Sequence, residues 1–239
     1  MRTSLLHPWT LFVLAAACAA PASPPQPEQS VRPDVNARFL DPALDVAEFV
    51  GTFEGESREI AREREAIVTA LGLQPGMHIA DVGAGTGLFL EPFARAVQES
   101  GRVFEVELSP AFVAHLRDRA KGTGLRQVEV VQSTERSVEL APASLDLAFV
   151  CDTYHHFEYP RTMLASMWSA LRPGGALLVL DFERIDGQSR QWVLDHVRAG
   201  KAAVRAEIEA EGFVFDREIE VAGLSENYLV RFLRPREPR

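Results

Sequence analysis

The stretch HIADVGAGTGLFL, His78 to Leu90, decides the fold: an apolar strand ends at Asp81-Val82, and a turn follows with glycine at 83, 85 and 87 before a helix begins near Leu88. Glycines at such a turn supply backbone angles that other residues avoid and let a ligand approach the main chain closely. The dinucleotide fingerprint spaces its glycines G-x-G-x-x-G. Here the third glycine arrives one position early, and Leu88 stands where that pattern requires glycine. No lysine follows the glycines, so the phosphate-binding P-loop is also excluded.

Outward from this turn the chain alternates. Apolar runs at Met77–Val82, Arg102–Glu107, Gln127–Val131, Leu145–Cys151 and Ala176–Phe182 read as strands, with helical stretches at Leu88–Glu99, Pro110–Lys121 and Arg161–Leu171. Each gap is long enough for a crossover, which predicts a doubly wound α/β domain with a largely parallel sheet and helices on both faces. Glu56–Leu71 has helical spacing, ended by Gly72 and Pro75-Gly76. After a helix at Lys201–Glu211, strands at Phe213–Val221 and Asn227–Leu233 are joined only by AGLSE, too little for a crossover. They predict an antiparallel hairpin at the sheet edge.

The motif DVGAGTG resembles the first motif of class I S-adenosylmethionine-dependent methyltransferases. Three later landmarks agree in order: VFEVELSP (Val103–Pro110), LRPGGALLVLDF (Leu171–Phe182) and the C-terminal hairpin. The resemblance covers Ala43 to Leu233 and implies a seven-stranded sheet whose last strand is antiparallel. It implies S-adenosylmethionine as cofactor, with Asp81, Gly83, Ala84, Gly85 and Gly87 cradling its methionine part. Glu107 would hold the ribose hydroxyls, with Leu108 beside it. A carboxylate can accept from two vicinal hydroxyls at once. Where the family often has an acid contacting adenine, this chain reads VVQSTERS, which puts Thr134 and Glu135 at that place.

In an open parallel sheet, ligands sit beyond the carboxyl ends of the strands. CDTYHHF, Cys151 to Phe157, is then the loop leaving the fourth strand. Asp152 is the cofactor-facing candidate, and Tyr154, His155 and His156 are the acceptor-facing candidates. A histidine is favoured as base because its pKa lies near neutrality, with simple packing as the alternative for each. Cys151 reads as a small buried residue. Asp152, His155, His156 and Glu158 lack the paired spacing of strong metal signals, so no metal is expected. Phe53 and Arg58, before the first predicted helix, and Trp192 and His196, in the long connector Glu183–Lys201, are further candidates to line the pocket.

The 239 residues, 46% hydrophobic and 25% charged, suit one sizeable α/β domain. A net charge of −9, with no basic stripe, disfavours a nucleic-acid acceptor and leaves a small molecule as the expected one. The first twenty residues differ: Arg2 and then LLHPWTLFVLAAACAA have the layout of a secretory signal, and LAAAC resembles a lipoprotein signal with Cys18 as the lipidated residue. Conventional cleavage at the nearby alanines is the alternative. Residues 21–42 are Pro-rich and polar at their start and read as a tether, which leaves 43–239 as the domain. These features predict an exported methyltransferase, periplasmic or lipid-anchored, with a cytoplasmic location as the alternative if the leader is not cleaved. Two other readings stay open, an exported ligand-binding protein that retains the fold without turnover and a nicotinamide-dependent reductase, the latter disfavoured by the glycine spacing.

Overall fold

Strand β1 (His78–Val82) is the third strand of a seven-stranded sheet in the computed structural model, which describes residues 27–55 and 58–236. The leader and Cys18 lie outside the described residues. The other strands are β2 (Arg102–Glu107), β3 (Val128–Gln132), β4 (Leu145–Cys151), β5 (Leu171–Phe182), β6 (Val214–Glu218) and β7 (Asn227–Leu233). Their order across the sheet is β3-β2-β1-β4-β5-β7-β6. The first five are parallel, while β7 pairs antiparallel with β5 and β6. The order reverses between β1 and β4, and their carboxyl ends form the crevice where such sheets bind ligands.

Alternation along the strands builds two cores. Ala80, Val82, Val106, Ala148, Val150 and Val179 face one side, where Met163, Leu164, Met167 and Ile208 cover them. Ile79, Val103, Leu147, Phe149 and Leu178 face the other, under Ile67, Leu71, Phe93 and Val97. Helices α1 (Val46–Phe53), α2 (Glu59–Arg62), α3 (Arg64–Leu71), α4 (Leu90–Val97), α5 (Pro110–Thr123), α6 (Pro160–Ala170), α7 (Gln191–His196) and α8 (Lys201–Ala210) supply these covers and the crevice walls. Local chemistry sets several ends: α5 starts with Pro110 in its first turn and stops at Gly124, whose φ of 67° is left-handed. Among the described residues no helix is long and apolar enough to cross a membrane.

Several element ends shift by one to three residues, and three larger departures stand out. The first predicted helix is split at Glu63 into α2 and α3. β5 begins at Leu171 rather than Ala176, because Leu171 already pairs with Leu145 across a bulge that absorbs the Pro-Gly-Gly turn. α1 and α7 have no counterpart in the sequence reading, since both are short and only one turn or two of periodicity marks them.

The described part of the segment read as a tether is docked. The carboxylate of Glu28 accepts the backbone N–H groups of Arg161 (2.8 Å) and Thr162 (2.7 Å) in the first turn of α6, where helical donors lack partners. Val31 donates its N–H to the Glu158 carbonyl at 3.0 Å, and Asn36 Nδ2 donates to the His156 carbonyl at 3.2 Å. Residues 28–36 therefore brace the loop after β4 from outside.

Candidate active site

At the end of β1 the chain turns through Gly83, Gly85 and Gly87, with φ of 80°, 55° and 86°. These angles lie in the left-handed region that glycine adopts without strain. Their surroundings differ. A Cβ on Gly83 would lie 2.3 Å from the Thr153 side chain, and one on Gly87 would lie 2.8 Å from Leu116, so both glycines permit close packing. A Cβ on Gly85 would approach nothing closer than Phe53 at 3.6 Å. Gly85 borders open space, whereas a side chain on Gly87 would run into Leu116 of α5.

Glu107, ending β2, holds this turn in place. Its Oε2 accepts the Gly85 N–H at 2.8 Å and its Oε1 accepts the Ser109 N–H at 2.7 Å. Burial lifts its pKa above the ordinary value, opposed by the N–H groups of Ser109, Gly85 and Leu108. A carboxylate offers about four acceptor positions. The two backbone donors use two of them, leaving about as many for a ligand diol.

Asp81 and Glu105 are neighbours across β1 and β2 and are almost fully buried. Burial, with Glu107 adding repulsion, pushes Asp81 up to about 7. Among the described residues neither carboxylate oxygen of Glu105 has a partner, and burial followed by the Asp81 charge raises its pKa well above the ordinary value. Nothing in the strand pattern singled out Glu105, which occupies an inward position normally given to an apolar residue. Arg119 on α5 sits close by, bonding Glu54 Oε1 at 2.7 Å and the Thr86 carbonyl at 3.0 Å.

A cleft of about 820 Å³ opens above the turn, lined among others by Asp81, Gly83, Gly85, Glu107, Thr134, Asp152, His155 and His156, with Ala84, Leu108 and Glu135 also on its surface. Cofactor-sized pockets typically measure about 300–1,000 Å³. One wall is aromatic: Phe49 meets Phe53 at 5.2 Å and Phe112 at 5.5 Å between ring centroids, and Phe39 closes the group at 5.7 Å from Phe49. The sequence reading named only Phe53 of this set, because α1 and the segment before it were not recognised as a wall.

The loop after β4 divides its residues between two sides. Tyr154 is fully buried, and its hydroxyl donates to Glu207 at 2.9 Å on the α8 side. Burial and the Glu207 charge push its ionisation far above the ordinary range. Tyr154 is a core residue; the expected acceptor-side role is corrected, because the short 3-10 turn Tyr154–His156 sends successive side chains in different directions. Tyr154→Phe should cost roughly 1.5–3 kcal/mol of stability, the scale of a bond to a charged partner. Calorimetric unfolding checks this, with ligand affinity expected to stay at the wild-type value.

Asp152 does line the cleft, with a φ of 46° that strains a non-glycine residue. Its carboxylate is taken, however, by the Arg58 guanidinium and by Asn227 Nδ2 at 3.0 Å. Burial lifts it to about 6 against the pull of Arg58. The pair makes Asp152 a fixed wall and gives Arg58 a definite place. Burial, with the Asp152 charge, raises the Cys151 thiol well above its ordinary value, in keeping with a small buried side chain rather than a nucleophile.

His155 and His156 both reach the cleft, together with His196 from α7. His155 Nδ1 lies 2.7 Å from Asp181 Oδ1; burial opposes its charge, but Asp181 outweighs that and raises its pKa. Burial takes His156 down to about 2 and His196 down to about 4, with His155 adding to both shifts. Trp192 stacks on His196 with centroids 4.9 Å apart.

Strand order, a Gly-rich turn after β1, an acid at the end of β2 and an antiparallel β7 now stand together. The fold is that of the class I methyltransferases. Residues 80–179 match the family described as methyltransferase domain. A solved S-adenosylmethionine-dependent methyltransferase from Aquifex aeolicus superposes with a TM-score of 0.69 at 22% identity, covering 80% of this chain and 98% of that one. Among curated proteins, the ubiquinone/menaquinone biosynthesis C-methyltransferase UbiE of Klebsiella pneumoniae strain 342 is 29% identical over 114 residues, 47% of this chain and 45% of that protein. Its counterpart in Bordetella bronchiseptica is 31% identical over 113 residues, 47% and 43% of the two chains. The likeness thus spans less than half the length of these relatives. The family match runs from β1 to β5 and ends before α7, which carries His196.

Proposed function

We propose that this chain transfers a methyl group from S-adenosylmethionine to a small-molecule acceptor bound between the Gly-rich turn and α7. The observation that carries the reading is Glu107: a buried carboxylate that fixes the Gly85 turn with one pair of acceptor positions and keeps another pair for a diol. S-adenosylmethionine supplies a methyl group already activated by a sulfonium. The protein's work is accordingly to hold, align and exclude water. Glu107 would take the ribose hydroxyls and Thr134 and Glu135 would border the adenine. Asp81 and the Gly83–Gly85 backbone would meet the methionine part, with Phe53 and Phe112 above. His155, His156 and Trp192 would wall the acceptor side, which is supported by their lining the same cleft. The acidic net charge favours a small acceptor over a nucleic acid. Export of the protein is part of the proposal and rests on the leader sequence alone.

A pH dependence follows from Asp81. With its pKa at about 7, the free protein holds this carboxyl partly protonated near neutrality. A cationic ammonium binds the ionised form, so affinity for S-adenosylhomocysteine should rise about tenfold between pH 6 and pH 8. The unliganded fold responds with the opposite sign: a carboxyl raised from 3.8 to about 7 contributes stability below the lower value and loses it as pH rises through the upper one. Titration calorimetry and thermal unfolding at the two pH values check both signs.

Incubation with methyl-labelled S-adenosylmethionine and a panel of phenols, thiols, amines and activated carbon acids tests turnover. Label transferred to a panel member supports the proposal. Tight cofactor binding with no transfer to any class would favour a ligand-binding protein that retains the fold.

A further inference from the structure

We infer that His155, His156 and His196 form a binding site for a zinc-type divalent cation, with one coordination position left open to the cleft. Their candidate ligand atoms all lie within 4.8 Å of one another. The Nε2 atoms of His156 and His196 stand 3.2 Å apart. Two nitrogens bound to one tetrahedral zinc at about 2.0–2.1 Å would be separated by about 3.3 Å. The three rings surround a common point, with centroids 4.5 Å apart for His155 and His156 and 5.0 Å for each with His196.

The surroundings fit a cation site. Asp181 Oδ1 accepts from His155 Nδ1 at 2.7 Å, which fixes the ring and leaves Nε2 as the ligating nitrogen. Asp181 is held in turn by the N–H groups of Phe182 (2.7 Å) and His155 (3.2 Å). A carboxylate behind a ligating imidazole is the usual outer support of such sites. It also supplies negative charge against the nearby Arg32 guanidinium, which is bonded to the His196 and Asp195 carbonyls. Stacking on Trp192 and an edge contact from Phe39 to His156 at 5.2 Å hold the other two rings. Three imidazoles with a fourth position open is the ligand set of catalytic rather than structural zinc. An acceptor thiol or hydroxyl placed on that position would be bound and acidified there.

Spacing in the sequence does not announce this site. His155 and His156 are adjacent and His196 lies 40 residues beyond His156, so the expectation of no metal drew on the wrong partners, Asp152 and Glu158. Asp152 is engaged by Arg58 and Asn227 instead.

The test is zinc and cobalt(II) titration of the chelator-stripped chain in the absence of S-adenosylmethionine. Metal binding then succeeds or fails independently of the methyl-transfer reading. One equivalent of zinc should bind, a tetrahedral cobalt spectrum should appear, and zinc should raise the unfolding temperature. His196→Ala, on a partly exposed helix, should remove the equivalent. Asp181→Asn should weaken it about 10- to 100-fold, and His115→Ala on α5 should leave it intact. Absence of stoichiometric zinc binding with no shift in unfolding temperature overturns the site. So does binding that survives in a His156→Ala, His196→Ala double variant.

Discussion

Glu107→Ala is expected to weaken S-adenosylhomocysteine binding by about 1–3 kcal/mol, roughly 5- to 150-fold. Removing the carboxylate strips the ribose of its acceptor. It also leaves the Gly85 and Ser109 N–H groups, now bonded at 2.8 and 2.7 Å, without partners. Each unpaired buried donor carries its own desolvation cost, so the variant should also unfold at a lower temperature. Glu107→Gln separates the two effects. It keeps one carbonyl oxygen for a backbone donor and presents an NH₂ group where the second acceptor stood, so stability should recover more than affinity. Titration calorimetry and thermal unfolding read the two quantities separately. Unchanged affinity in Glu107→Ala would remove this residue from the ligand site.

Gly85→Val should abolish detectable binding while the protein stays folded. At a φ of 55° a side chain costs about 1–2 kcal/mol in backbone strain. That strain is tolerable for a domain with two extensive cores. The larger effect is steric. Between Gly85 and the Phe53 ring there is room for a single methyl group at 3.6 Å, and the branches of valine would fill the space meant for the ligand. Gly85→Ala, with the strain and little of the bulk, should keep measurable though weakened binding. Because Gly85 donates to Glu107, the two substitutions should not be additive in a double variant.

Much of this was legible in the sequence because the relevant signals are local. β2, β4 and β7 fall at their expected bounds, and β7 is antiparallel as its short connection to the preceding strand required. The turn at Gly83–Gly87 and the acid at Glu107 are set by backbone geometry, which short motifs encode well. What stayed hidden depends on direction or on distance. Adjacent Tyr154 and His155 turn in different directions on a 3-10 turn, to Glu207 and to Asp181, and no periodicity marks which of them reaches the cleft. The docking of Glu28 on α6 joins residues 133 and 134 positions apart. The aromatic wall draws on Phe39, Phe49, Phe53 and Phe112, which share no repeat.

His196 shows the same limit from the functional side. In sequence it lies in the long connector Glu183–Lys201 as a candidate to line the pocket, and the packing of Val193 and Val197 on Phe182 at the end of β5 brings it to His156. The family match, residues 80–179, ends before that helix.

The most direct measurement is calorimetric titration of the folded chain with S-adenosylhomocysteine, with NADH as the comparison ligand. The account predicts one site of micromolar affinity for the sulfur compound, absent in Gly85→Val, weakened in Glu107→Ala, and no heat from NADH. Silence at high S-adenosylhomocysteine concentration, or binding indifferent to both substitutions, would contradict it.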